Sequence, residues 1–269
     1  MTDFLDLLTR ETGTVDDDGT ADARLERITF ECLTSGMNDG RVASLLRILG
    51  FDGAFACFAI AGRPVATVAA TMRDVAKAVS DLGGDACLAG VKDDVVAALI
   101  RMEAAVSPEV TCTAVTAAFD TMITPLCLGP VRHGVSGAAA TLGAALTTLQ
   151  VSPAMPPRPR ATMPLRAEEA LPERALMGDA DARRELVDVV YGSLAGHGPD
   201  DPTMLTVSTF LASGGSLETT ARTLNVHPNT VRYRLKRAAD TTGWDASNPR
   251  DAYVLTTAIA LGRIARSVR

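Results

Sequence analysis

Between Val151 and Pro164 the chain reads VSPAMPPRPRATMP, with five prolines in fourteen residues. Each proline fixes φ near −65° and removes a backbone donor, so neither a helix interior nor a central strand can run through the stretch. The segment also lacks an apolar period, which predicts an extended linker of polyproline II character. A length of 269 residues allows one large or two ordinary domains, and the linker divides the chain accordingly.

Residues 1–45 read as an N-terminal helical segment. Leu25, Ile28, Cys32 and Leu33 recur at helical spacing, and Gly36 follows as a stop. A second short helix runs from Asp39 to Leu49 and ends at Gly50. Over residues 46–151 strands and helices alternate. GAFACFAIAG (Gly53 to Gly62) and ACLAGV (Ala86 to Val91) are almost wholly apolar, so they predict strands buried on both faces. Between them Met72, Val75, Val79 and Leu82 mark one face of a helix. DDVVAALIRMEAAV predicts a further helix with Asp93 as its N-cap. The β-branched residues of EVTCTAVTAAF favour a strand at its start, ITPLCLGPV a last strand, and SGAAATLGAALTTLQ a helix capped by Ser136. The expected fold class is α+β multidomain: a layered α/β domain over 46–151, then an all-α domain.

Hydrophobic residues make up 47% and aromatics only 4%, so the cores must be aliphatic and rich in alanine. No apolar run is long enough to span a bilayer. The N-terminal MTDFLDLLTRETG lacks the layout of a secretion signal, so a cytoplasmic protein without membrane partners is expected. Cys32, Cys57, Cys87, Cys112 and Cys127 form no CxxC and sit among apolar neighbours, which favours buried reduced thiols. His133, His197 and His227 are scattered, and neither a metal site nor a cofactor is expected. Charge is unevenly spread: residues 202–269 hold nine Lys or Arg against four acids, within a chain of net charge −6. A basic end on an acidic body suits a polyanionic partner.

After the linker, 152–165, residues 166–200 read as a connecting helical segment with Leu186, Val189, Val190 and Leu194 on its apolar face. Residues 201–269 read as a helical domain. Thr203 to Ala212 is one helix, closed by Gly214 and Gly215; Ser216 caps the next, Leu217 to Leu224. A short turn, Asn225 to His227, leads to Pro228, which suits the first position of a helix running to about Thr241. Two short helices joined by a three-residue turn form a helix-turn-helix. At about 100° per residue, with Val231 inward, Leu235 and Ala238 share its direction and should pack on Ala221 and Leu224. Asn229, Tyr233 and Lys236 then point outward, flanked by Thr230, Arg232 and Arg237. Amides, hydroxyls and cations are the groups that bond base edges and phosphates. Arg234 lies between the two faces and should serve packing or an ion pair with Glu218.

GGSLETTARTLNVHPNTVRYRLKRAADTTGWDASNPRDAYVLTTAIALGRI resembles the C-terminal helix-turn-helix domain of PucR/CdaR-type bacterial transcription regulators. The shared run is His227, Asn229, Thr230, Val231, Tyr233, Arg234 and Leu235, then Thr242–Gly243 and a final helix. Leu46 to Val151 resembles the GGDEF-like domain that precedes it in such regulators. GGDA, Gly83 to Ala86, lacks the second acid and the aromatic of the nucleotide-cyclase signature, so no enzymatic activity is expected and the glycines read as a turn after a helix. LPERALMGDADARRELVDVVY is similar to actinobacterial regulators of fatty-acid or polyketide synthase genes.

The resemblance implies a sequence-specific regulator of double-stranded DNA, acting as a homodimer and reading the major groove with Pro228–Thr241. Asn229 and Arg232 are the expected base contacts; Tyr233, Lys236 and Arg237 serve phosphate or base, and Thr230 and His227 the backbone. The alternative is a metabolite or nucleotide sensor whose α/β domain is the main site. For a small-molecule effector the local candidate is Gly129 to Gly137, where Arg132 and His133 precede a helix N-terminus that favours anions. A metal-dependent enzyme would need clustered acids, and Asp93 and Asp94 read instead as helix caps.

Overall fold

A strand that is apolar in both phases can lie only in a sheet covered on both sides. The structure, a computed structural model describing residues 21–102, 106–156, 163–196, 198 and 201–267, builds its first unit on that constraint. The expected helix ahead of Ala21 and His197 lie outside the described residues. One unit extends to Ala170 and the other begins at Leu171.

The described strands are β1 (Ala56–Gly62), β2 (Cys87–Lys92), β3 (Val95–Arg101), β4 (Cys127–Leu128), β5 (Arg132–His133) and β6 (Leu165–Arg166). β1 pairs antiparallel with β3 from Cys57 opposite Arg101 to Gly62 opposite Val96. The order is β2-β3-β1-β4-β6, with β5 also on β1, and only β4–β6 is parallel among the pairings. Leu165, at the end of the proline-rich stretch, is buried and pairs with Cys127.

Helices α1 (Ala21–Thr34), α2 (Gly40–Ile48), α3 (Val68–Asp81), α4 (Pro108–Val115) and α5 (Gly134–Val151) cover the sheet. Cys57, Ala59 and Ala61 face the core made by α1, α2 and α5. Phe58 and Ile60 face the core made by α3 and α4. Small residues let the layers approach: a Cβ on Gly90 would stand 2.3 Å from the Phe30 ring, and one on Gly129 2.4 Å from the Thr141 carbonyl. Among the described residues no helix is long and apolar enough to cross a membrane.

Three local expectations are corrected. The helix expected from Asp93 is strand β3. Asp93 and Asp94 have φ of 49° and 63°, a left-handed pair that closes a two-residue hairpin with Lys92 opposite Val95. A short apolar run does not by its period distinguish strand from buried helix; the two turn residues decide. The strand expected at the start of EVTCTAVTAAF is α4. Ser107 accepts from the Val110 N–H, Pro108 takes the first turn, and the Thr113 and Thr116 hydroxyls donate to carbonyls four residues back at 2.9 and 2.6 Å. The Ser107 cap and Pro108 in the first turn override β-branched preference here, and the back-bonds only satisfy the threonine hydroxyls. Ser136 does not cap α5, which starts at Gly134 directly after β5; its hydroxyl lies 3.5 Å from the Asn38 amide nitrogen instead.

The second unit is helical: α6 (Leu171–Leu176), α7 (Ala180–Arg184), a π-helical stretch (Glu185–Tyr191), α8 (Gly192–Leu194), α9 (Pro202–Ala212), α10 (Leu217–Thr223), α11 (Pro228–Thr242) and α12 (Pro249–Ser267). The π stretch shifts the apolar period. Leu186, Val190, Tyr191 and Leu194 are buried, but Val189, expected inside, is 57% exposed. Two buried charges sit side by side on α6. Glu173 accepts two hydrogen bonds of 2.6 Å from the Arg250 guanidinium, which ties α6 to the start of α12. Arg174 pairs with Asp179 at 2.7 Å, and Asp179 also caps α7. Tyr191 lies against Gly262 of α12, and the Arg266 guanidinium stands 4.9 Å over its ring.

All five cysteines are free, and four are buried. Burial pushes the thiols of Cys57, Cys87 and Cys112 up to about 12. At pH 8 that leaves a thiolate fraction of about one in ten thousand. Cys57 and Cys112, which expose no surface, should therefore react with a thiol reagent only after denaturation, while half-buried Cys87 is less protected; fast labelling of the native protein at Cys57 or Cys112 would contradict their packing. The sign for stability follows: unfolded thiols ionise near pH 9 and folded ones do not, so stability should fall as pH rises beyond that value. Glu173→Gln leaves the Arg250 charge without its bidentate partner and should lower unfolding free energy by about 2–3 kcal/mol in a denaturant titration.

Candidate nucleic-acid interface

The interface is assembled by two stops and two caps. α9 ends at Ser213, after which Gly214 and Gly215 take φ of 70° and 82°, and the Gly215 N–H donates to the Phe210 carbonyl at 3.0 Å. The Ser213 hydroxyl holds the turn, donating to the Phe210 carbonyl at 2.8 Å and accepting from the Ser216 N–H at 3.2 Å. Ser216 then caps α10 by accepting from the Thr219 N–H. α10 stops with Asn225 in the left-handed region, φ 52°. The Val226 N–H donates to the Ala221 carbonyl at 3.0 Å and the Asn225 N–H to the Arg222 carbonyl at 3.2 Å. This is a Schellman closure, with asparagine where glycine is commoner. His227 caps α11: its Nδ1 accepts from the Asn229 N–H at 3.2 Å. Pro228 fills the first helical position, and Gly243, φ 79°, ends the helix.

Packing sets the rotation of α11. Val231, Leu235 and Ala238 are buried in one core with Ala221 of α10 and with Met204, Val207 and Phe210 of α9. Leu224, expected in that contact, is half-buried at the end of α10; Val226 packs against the core beyond it. His227, Asn229, Arg232, Tyr233, Lys236 and Arg237 are exposed and Thr230 is half-buried. Tyr233, at 67% exposure, presents its ring to solvent. The Arg232 guanidinium donates to the Asn229 side-chain oxygen at 2.8 Å, which aligns the two side chains. Among the described residues Arg232, Lys236 and Arg237 take part in no ion pair. Arg234 turns inward and donates to the Thr206 hydroxyl at 3.3 Å; the expected partner Glu218 is not used. Sequence reasoning missed two roles. The imidazole is a cap as well as an exposed group, and Thr206, an interior residue of α9, holds Arg234.

Elsewhere the expected ligand residues are arranged differently. Arg132 and His133 form β5 and pair with Cys57 and Ala56. A Cβ on Gly137 would stand 2.8 Å from the Arg132 Cβ, so α5 packs tightly on this connection. Gly83, φ 84°, follows α3, and Asp85 faces Arg101 at 3.6 Å. The glycines thus turn the chain after a helix, as expected, and Asp85 and Ala86 lead into β2. Among the described residues no three of His, Cys, Asp and Glu are grouped to hold a metal ion.

Comparison with known proteins agrees with this geometry. Residues 203–261 match the PucR C-terminal helix-turn-helix domain, and residues 35–151 match the GGDEF-like domain. The crystal structure of a regulator of polyketide synthase expression from Bifidobacterium adolescentis is similar at 55% identity and a TM-score of 0.87, over 98% of this chain and 99% of that one. Uncharacterized proteins of Mycobacterium tuberculosis and Mycobacterium bovis are 43% identical over 141 residues, which is 52% of this chain and 33% of theirs. The chain thus spans about a third of the length of these curated relatives. With its α/β unit and its helix-turn-helix both matched, and a 55% identical neighbour covered almost entirely, the chain belongs to the PucR/CdaR-type transcription regulators.

Proposed function

We propose that the protein is a cytoplasmic, sequence-specific DNA-binding transcription regulator that acts as a homodimer under the control of a small-molecule effector. The observation that carries this reading is the outward row of α11, where exposed cations without ion-pair partners among the described residues stand beside an amide and an aromatic hydroxyl. Asn229 and Arg232 serve base edges, since an amide and a guanidinium can each bond bidentately in the major groove. Tyr233, Lys236 and Arg237 serve phosphate or base. Thr230 and His227 lie at the helix N-terminus, where backbone N–H groups and the helix dipole favour phosphate. Two copies would place their α11 helices one turn of DNA apart. The neighbour's role in polyketide synthase expression supports polyketide or fatty-acid synthase genes as targets.

The test is fluorescence anisotropy with DNA from upstream of the protein's own gene and its neighbours, at two salt concentrations. One fragment should bind well above random DNA and weaken as salt rises. Asn229→Ala and Arg232→Ala should each cost about 1–3 kcal/mol of that preference while circular dichroism stays unchanged. Lys236→Ala should weaken binding to all sequences and lower the salt slope by about 1. The proposal fails if the folded protein, as a dimer, binds no fragment better than random DNA, or if the two α11 variants keep full preference.

A further inference from the structure

One glycine of the first unit lacks the packing reason that explains others. Gly143 lies inside α5, its φ is not left-handed, and nothing stands within 4 Å of where its Cβ would be. Glycine inside a helix costs about 0.5–1 kcal/mol relative to alanine. Gly90 and Gly129 are needed because Phe30 and Thr141 press on them; Gly143 faces open space instead. That space is a cavity of about 480 Å³, within the range of small-molecule sites.

Its walls have two characters. Val95, Leu146 and Leu149 supply apolar surface beside Gly143. Arg63, Lys92 and Asp93 supply charge. Arg63 is exposed just after β1, and its guanidinium takes part in no hydrogen bond or ion pair among the described residues. Lys92 is held by donating to the Thr34 carbonyl at 3.3 Å. Thr124 adds a buried hydroxyl with no hydrogen-bond partner among the described residues; a polar group left so costs about 1–3 kcal/mol. Two cations against one carboxylate suit a single negative charge. A phosphate monoester, with about −1.5 to −2 at neutral pH, would meet Asp93 with its second charge.

We propose that this cavity binds a small monocarboxylate with an apolar body, its head between Arg63 and Lys92 and its body against Gly143 and Leu146. No residue of the Gly129–Gly137 connection lines the site, although both use α5, and the site does not depend on the DNA-binding reading. Asp93 makes the selectivity: it tolerates the first negative charge beside the two cations and opposes the next.

The test is calorimetry on the full chain without DNA, using octanoate, octyl phosphate and octanol below micelle-forming concentrations. Octanoate should bind, and octyl phosphate and octanol should each bind at least about tenfold more weakly. Gly143→Leu fills the cavity from a helical position with room for the side chain and should abolish octanoate binding. Arg63→Met, a change at an exposed position, should weaken octanoate about tenfold and leave octanol unchanged. Circular dichroism checks both folds. Absence of octanoate binding at millimolar concentration, undiminished binding by folded Gly143→Leu, or equal affinity for octanol would each overturn the assignment. Because no DNA is present, failure here leaves the α11 reading standing, and failure there leaves this one standing.

Discussion

The burial of Val231, Leu235 and Ala238 sets the angle at which α11 is held, and its chemistry depends on that angle. A helix has one rotational freedom about its axis, and three apolar side chains in one direction remove it. Turned by one residue, the helix would bury Arg232 and expose Val231. The closures around it serve the same end. Asn225 in the left-handed region fixes where α10 stops, and His227 and Pro228 fix where α11 starts. Arg234 needs an acceptor because it lies at the seam, and Thr206 provides one.

The first unit obeys a different constraint. Its central strands are covered on both faces, so they spend small residues wherever a helix or an aromatic ring must come close. Gly90 under Phe30 and Gly129 under Thr141 are the clearest cases. Buried thiols belong to the same economy of volume: with few aromatics, cysteine and alanine fill gaps that larger side chains would overfill. The second unit instead accepts buried charge, and the Glu173 pairing with Arg250 satisfies both oxygens of the carboxylate.

Legibility in the sequence followed the strength of the local signal. The helix-turn-helix was readable almost residue by residue, because Gly214–Gly215, Ser216, Asn225 and Pro228 punctuate it and the inward stripe is unambiguous. β1 and β2 were readable from apolar runs between glycines. The hairpin at Asp93 was not, since two acids before an apolar run look like a helix N-terminus until their φ angles are known. α4 is not legible from propensity because its β-branched residues follow a Ser107–Pro108 start that caps and seeds a helix. Val189 was misplaced because a π-helical register cannot be seen in a period of 3.6. The open space at Gly143 depends on neighbours from the end of α1, the residue after β1 and the hairpin turn, which no local pattern brings together.

The two-residue connection between β2 and β3 has a kinetic side. All six of its strand pairs join residues within a short stretch of chain, from Lys92 with Val95 to Cys87 with Ile100. Closing such a loop costs little entropy, and hairpins of this kind form in about 1–10 μs. Pairing of β1 with β3 instead brings Cys57 to Arg101 and must wait for a much longer loop to close. The hairpin is therefore expected to be the earliest edge of the sheet, the template on which β1 later docks.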